Sequence, residues 1–117
     1  MLFRSAARPE AGAVISVTRL EEPHPEKAKR IEGGWLRAYL PGACSELPRQ
    51  ELPAAYRLNG VLYLVRGAEV AERGTLLPAA SLPLVLPPER SLNIDHPFDL
   101  LLAEALLERG LVALEAD

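Results

Sequence analysis

SLNIDHPFDLLLAEALL, residues Ser91–Leu107, joins a short stretch of alternating apolar and polar residues to a strongly apolar helical stretch. Leu92–Ile94 reads as a strand and Pro97–Arg109 as a helix stopped by Gly110, a strand-to-helix junction that points to an α/β fold. His96 can cap the helix, Pro97 fits a first turn where a missing N–H is no loss, and Asp99 sets negative charge beside free amides. Asp95 is then not needed as the cap. Side chains alternate across a strand, so Asn93 and Asp95 share a face and both can offer oxygen to a hard cation such as Mg²⁺. The alternative is that Asp95 ends the strand or caps the helix while Asn93 bonds to a turn, and spacing alone leaves both readings open.

Outward from this junction the chain alternates strands and helices. Ala13–Thr18 is an apolar run suited to a central parallel strand covered on both faces. Glu21–Lys27 holds Pro23, His24 and Pro25 and reads as a loop. Lys29–Ile31 and Trp35–Tyr39 flank Gly33–Gly34 as a β-hairpin that would project from a sheet. Pro41–Pro53 reads as irregular, Pro53–Tyr56 as a single helical turn and Asn59–Gly60 as a tight turn. Gly60–Val65 is rich in β-formers, Ala68–Arg73 reads as a short helix closed by Gly74, and Leu82–Leu86 as a further strand. Met1–Ala11 has weak helical character, suited to the tail of a helix.

Composition narrows the function classes. With 117 residues and 49% hydrophobic content the chain can bury one modest core. Thirteen basic residues against sixteen acidic give a formal charge of −3, and the cations form no stripe, which argues against a nucleic-acid surface. The lone Cys44 allows no internal disulfide and has no nearby Cys or His to complete a zinc site, so an inert thiol is expected. Ser91, Asp95 and His96 crowd one junction too closely for a hydrolase triad, and His24 and His96 lack zinc-ligand spacing. No secretory leader and no apolar run of membrane-spanning length are evident, so a soluble, cytoplasmic protein with no membrane partner is expected.

The last helix adds a separate clue. Only Glu104 and Glu108 make a polar stripe, while Leu100, Leu101, Leu102, Leu106 and Leu107 reach nearly all round, so more than one face needs cover. That cover would come from the rest of a larger domain or from a second copy of the chain.

Three blocks, VISVTRLEEPHPEK, RQELPAAYRLNGVLYL and SLNIDHPFDLLLAEALL, resemble in order segments of the acylneuraminate cytidylyltransferases, the CMP-sialic acid synthetases. They match that family's strand with an H-P-x-K turn, its R-Q-x-L-P-x-x-Y/F-x-x-N-G-x-x-Y segment and its D-I-D strand leading into an A-E helix. The resemblance runs from about Ala13 to Leu107 and covers the second half of the family's catalytic domain. It implies a C-terminal portion of a nucleotide-diphospho-sugar transferase domain, Rossmann-like, with a projecting hairpin. Residues 1–117 would form a single partial domain, with 19–57 as hairpin and dimerisation segment and 58–117 carrying the sheet, the metal-site strand and the last helix.

The resemblance also implies a reaction, in which an acidic nine-carbon sugar attacks the α-phosphorus of CTP and expels pyrophosphate with Mg²⁺ bridging the reacting groups. Asp95 matches the second Asp of the metal pair, whereas Asn93 stands where the first is usual, which removes a negative charge and should weaken metal binding or route it through water. Arg49 and Lys27 match cations that the family extends toward a partner's active site, which implies a homodimer. Their plain alternative is as solvated surface cations. Tyr63 matches a sugar-pocket tyrosine, with a core role as the alternative. Gln50 and Asn59 enter as substrate-binding candidates from the same segment, or as structural residues. Leu76–Leu77 lie where the family carries paired pocket aromatics.

No Gly-rich phosphate loop such as G-x-G-x-x-G is present, so the isolated chain is expected to lack a complete CTP site and to be inactive. Three functions follow as expectations. They are part of a CMP-sialic-acid-type transferase, a non-catalytic dimerising module, and a transferase for another acidic sugar of the legionaminic or pseudaminic type.

Overall fold

The computed structural model describes residues 8–114. Within them it has mixed α/β content: a three-stranded sheet, a two-stranded hairpin and two α-helices. The helical character expected over Met1–Ala11 falls for the most part outside the described residues, and Pro9–Glu10 form a turn. The chain divides into two compact units, one of residues Met1–Thr18 with Leu58–Asp117 and the other of Arg19–Arg57.

In the first unit, strand β1 (Ala13–Arg19) lies at the centre of the sheet, as the apolar Val14, Ile15 and Val17 foretell. Ala13, Val14 and Ile15 are buried and, with Ala11, form the apolar core among the described residues. Strand β5 (Ser81–Val85) pairs with β1 in parallel, Ala13 opposite Ser81 and Val17 opposite Val85. It occupies an edge of the sheet, the position that tolerates the missing N–H of Pro83. On the other side of β1 lies β4 (Tyr56–Val65). The Arg66 N–H donates to the Gly12 carbonyl at 2.8 Å and the Leu62 N–H to Ser16 Oγ at 2.7 Å, so β4 runs antiparallel to β1. Helix α1 (Gly67–Arg73) ends at Gly74, and helix α2 (Pro97–Glu108) ends at Arg109–Gly110. Among the described residues no helix is long and apolar enough to cross a membrane.

The second unit carries the expected hairpin. Strands β2 (Lys29–Glu32) and β3 (Trp35–Ala38) pair antiparallel, Ile31 opposite Leu36 and Glu32 opposite Trp35. Gly33 and Gly34 sit at φ +58° and +82°, the mirror-image turn whose twist matches the flanking strands and which glycine adopts without steric cost. Every residue of the two strands is exposed.

Three expectations are corrected. Leu92–Ile94 is not a strand: the segment is irregular and held at its two ends by side chains, with Ser91 Oγ bonded to the Pro87 carbonyl before it and the Asp95 and His96 amides bound by the Asp99 carboxylate after it. Pro53–Tyr56 is not helical. Its carbonyls at 53 and 55 accept from the His24 ring and the Leu20 amide, which holds it extended, and the helical turn falls instead at Arg49–Glu51. Asn59–Gly60 does not separate two elements but lies inside β4, with Gly60 at φ +71° bending the strand.

Candidate functional site

The Asn93–Asp95 segment is built from below. Asn59, fully buried on β4, accepts from Ser16 Oγ on β1, accepts from the Val61 N–H at 3.2 Å, and donates through Nδ2 to Ser91 Oγ at 3.0 Å. Ser16 and Ser91 are themselves fully buried, and Ser91 passes the chain on to the Pro87 carbonyl at 2.8 Å. A hydroxyl or amide in the sheet interior must find partners, and these three satisfy one another. Asn93 lies against Gly60: a Cβ on that glycine would come within 3.3 Å of Asn93 Nδ2.

Above this base, residues 93–96 are exposed. The Asp99 carboxylate accepts from the His96 N–H at 2.9 Å and the Asp95 N–H at 3.0 Å, and these bonds hold its carboxyl below the usual carboxylate range. His96 is the N-cap residue and Asp99 closes the capping box on its amide, so Asp95 is not needed as the cap. The Asp95 side chain enters no hydrogen bond or ion pair among the described residues. With Leu92–Ile94 irregular, the shared strand face argued for Asn93 and Asp95 falls away, and what fixes their segment is the Asn59–Ser91 link and the Asp99 cap. Tyr63 lies on β4, 41% exposed, and Leu76 and Leu77 are exposed beyond α1.

The hairpin unit holds the candidate cations. Arg49 and Gln50 begin the 3₁₀ turn and line an open cleft of about 450 Å³ with Arg19, Glu21 and His24. The Arg49 guanidinium is paired with the Glu22 carboxylate. Lys27 donates to the Ser45 and Leu47 carbonyls at 3.0 and 2.9 Å, while Lys29 donates to Ser45 Oγ at 2.7 Å. Glu26 accepts from the Cys44 N–H at 2.7 Å, and together these contacts staple the 44–47 loop to the turn at 24–29. Lys27 thus has a folding role in this unit.

His24, 6% exposed, was missed as a structural residue by sequence reasoning. One ring nitrogen faces the Pro53 carbonyl at 2.8 Å and Nδ1 accepts from the Glu26 N–H at 3.1 Å, so the proton sits on Nε2. Ser16 and Ser91 were also missed. The usable signal was Ser16 within AVISVT, a hydroxyl in the middle of an apolar strand.

No family model matches this chain, and no curated protein matches it. Among the described residues no three His, Cys, Asp or Glu side chains converge on a point.

Proposed function

We propose that this chain is the C-terminal portion of a nucleotidyltransferase domain of the CMP-N-acylneuraminate-synthetase type, Rossmann-like in fold, that transfers CMP from CTP to an acidic sugar. The observation that carries the reading is the exposed carboxylate of Asp95, which has no hydrogen bond or ion pair among the described residues, on a segment tied to the sheet at Ser91 and to α2 at Asp99. Asp95 and Asn93 would hold Mg²⁺, whose chemistry there is neutralisation of phosphate charge. In a homodimer, Arg49 and Lys27 would reach phosphate or sugar carboxylate in the partner's active site; Arg49 would exchange its exposed Glu22 partner for the substrate, and Lys27 would give up the Ser45 and Leu47 carbonyls to do so. Tyr63, exposed on β4, and Gln50 are the side chains left to contact substrate, whereas Asn59 is committed to the interior.

The reading is tested by supplying the chain with an N-terminal half that carries a Gly-rich basic loop, together with CTP, a nine-carbon acidic sugar and Mg²⁺. Pyrophosphate release is expected from the mixture and not from the chain alone. Asp95→Asn should lower release by about 100-fold or more and leave thermal unfolding unchanged. Release undiminished by Asp95→Asn refutes the assignment.

A second reading, a dimerising module, is favoured by the hairpin, where Ile31 is 80% and Trp35 69% exposed. A homodimer through this face is compatible with the first reading. Retention of the dimer without nucleotide-dependent chemistry in the complemented mixture would leave the module alone standing.

A further inference from the structure

We propose that the outer edge of strand β4 is a self-pairing surface, by which residues 61–65 bind the same segment of a second copy of this chain in antiparallel register. The pairing stands apart from the nucleotidyl-transfer reading and uses neither metal nor substrate. Strand β4 closes one side of the sheet, and among the described residues no strand lies beyond it. Two bonds to β1 fix the direction of its main chain: the Leu62 N–H donates to Ser16 Oγ and the Arg66 N–H to the Gly12 carbonyl. Main-chain groups alternate along a strand, so those of Tyr63 and Val65 point out of the sheet. No hydrogen bond to these outward groups is found among the described residues.

Proteins blunt such edges with proline or charge. The opposite edge obeys this rule, since β5 carries Pro83. The β4 edge does not: Leu58–Val65 holds no charged residue and no proline, and Val61, Tyr63 and Val65 are strong β-formers. The order of residues selects the occupant. VLYLV, residues 61–65, reads the same in both directions about Tyr63. A two-fold axis there sets Val61 opposite the partner's Val65, Leu62 opposite the partner's Leu64 and Tyr63 opposite the partner's Tyr63. Such aromatic and β-branched pairs are favourable across strands, and no like charges meet even though each copy carries a formal charge of −3. Tyr63 exchanges both N–H···O bonds with the partner's Tyr63, and the Val65 N–H donates to the partner's Val61 carbonyl. Pairing stops at Val61, whose N–H is held by Asn59 Oδ1 at 3.2 Å, and where Gly60 bends the strand at φ +71°. At the other end the chain enters α1 at Gly67. The contact uses the β4 edge of both copies, so the two three-stranded sheets join into one and the assembly closes as a dimer.

The full chain is examined over a range of concentrations by light scattering and amide hydrogen exchange. A dimer is expected, with exchange at Tyr63 and Val65 slowed about tenfold or more as it fills, and with Leu64, whose N–H faces β1, unchanged. Tyr63→Pro removes only an outward N–H and should weaken dimerisation about tenfold or more. Tyr63→Lys and Tyr63→Glu should each be monomeric, and an equal mixture of the two should dimerise again; this pair decides the matter where Tyr63→Pro fails to fold. A parent chain that stays monomeric, or exchange at Tyr63 and Val65 that ignores concentration, overturns the proposal. A dimer that survives all three Tyr63 variants and is lost in Trp35→Ser belongs to the hairpin, which also overturns it. Slowing at Tyr63 and Val65 that appears only on adding the N-terminal half assigns the edge to that polypeptide and overturns self-pairing.

Discussion

Replacing Asn59 by leucine nearly keeps the side-chain volume and removes every polar contact that the Asn59 side chain makes at the sheet centre. The hydrogen bonds lost are those with Ser16 Oγ, the Val61 N–H and Ser91 Oγ. At about 1 kcal/mol each the loss is roughly 3 kcal/mol. Ser16 keeps its contacts with Leu62 and Ser91 keeps the Pro87 carbonyl, so the hydroxyls are not orphaned and the further penalty is confined to the part-buried Val61 N–H, about 1 kcal/mol. A total near 4 kcal/mol is a large share of the stability of a chain this size. Urea unfolding of Asn59→Leu, Ser16→Ala and the double variant measures both the total and the coupling. The double variant should cost less than the sum of the singles by about 1 kcal/mol, since the two residues share a bond. A loss below about 1 kcal/mol for Asn59→Leu, or strict additivity, would refute the view that these groups hold the sheet together.

Asp99 gives a pH signature. Its carboxyl is lowered by the Asp95 and His96 amides, so the stabilisation is complete above the ordinary carboxylate pKa and disappears as pH falls through the depressed folded value. Circular dichroism of parent and Asp99→Asn should therefore differ at neutral pH and converge in acid; a gap that persists at the lowest pH contradicts the cap. Gly60→Ala places a side chain at φ +71° and against Asn93, and should cost about 1–3 kcal/mol by thermal melting. His24→Ala removes contacts to Pro53 and Glu26 and should cost about 2 kcal/mol, with faster amide exchange confined to residues 19–57.

What was legible in the sequence was whatever a local rule decides. Gly33–Gly34 between alternating residues sets the hairpin, the apolar run from Ala13 sets the central strand, and Pro97 and Gly110 bracket α2. What was not legible depended on side chains competing with the backbone. Leu92–Ile94 has strand-like residues, but Asp99 and Ser91 claim the polar groups around it. Asn59–Gly60 has the composition of a loop turn, and only the proximity of Ser16 and Ser91, 43 and 32 residues away, turns it into a bend within a strand. The candidate residues divide along the same line. Asn93 and Asp95 were paired on the strength of a strand that does not form, and the commitment of Asn59 to the interior and of Lys27 to the 44–47 loop needed coordinates.

The distribution of polarity carries the last step. The buried set contains Ser16, Thr18, His24, Asn59 and Ser91, while Phe98, Leu101 and Leu107 on α2 and Ile31, Trp35 and Leu36 on the hairpin are exposed. Burial of large apolar side chains is the dominant stabilising term in a folded domain. Here the residues best able to supply it lie outside, and the interior is organised by hydrogen bonds, which set geometry more than they add stability. Helix α2, which buries none of its residues, has the all-round apolar surface of a helix meant for the interior of something larger. The stability of the α2 surface therefore depends on cover that its own residues do not supply, from the rest of a larger domain or from a second copy of the chain, and unfolding that depends on protein concentration would mark the second.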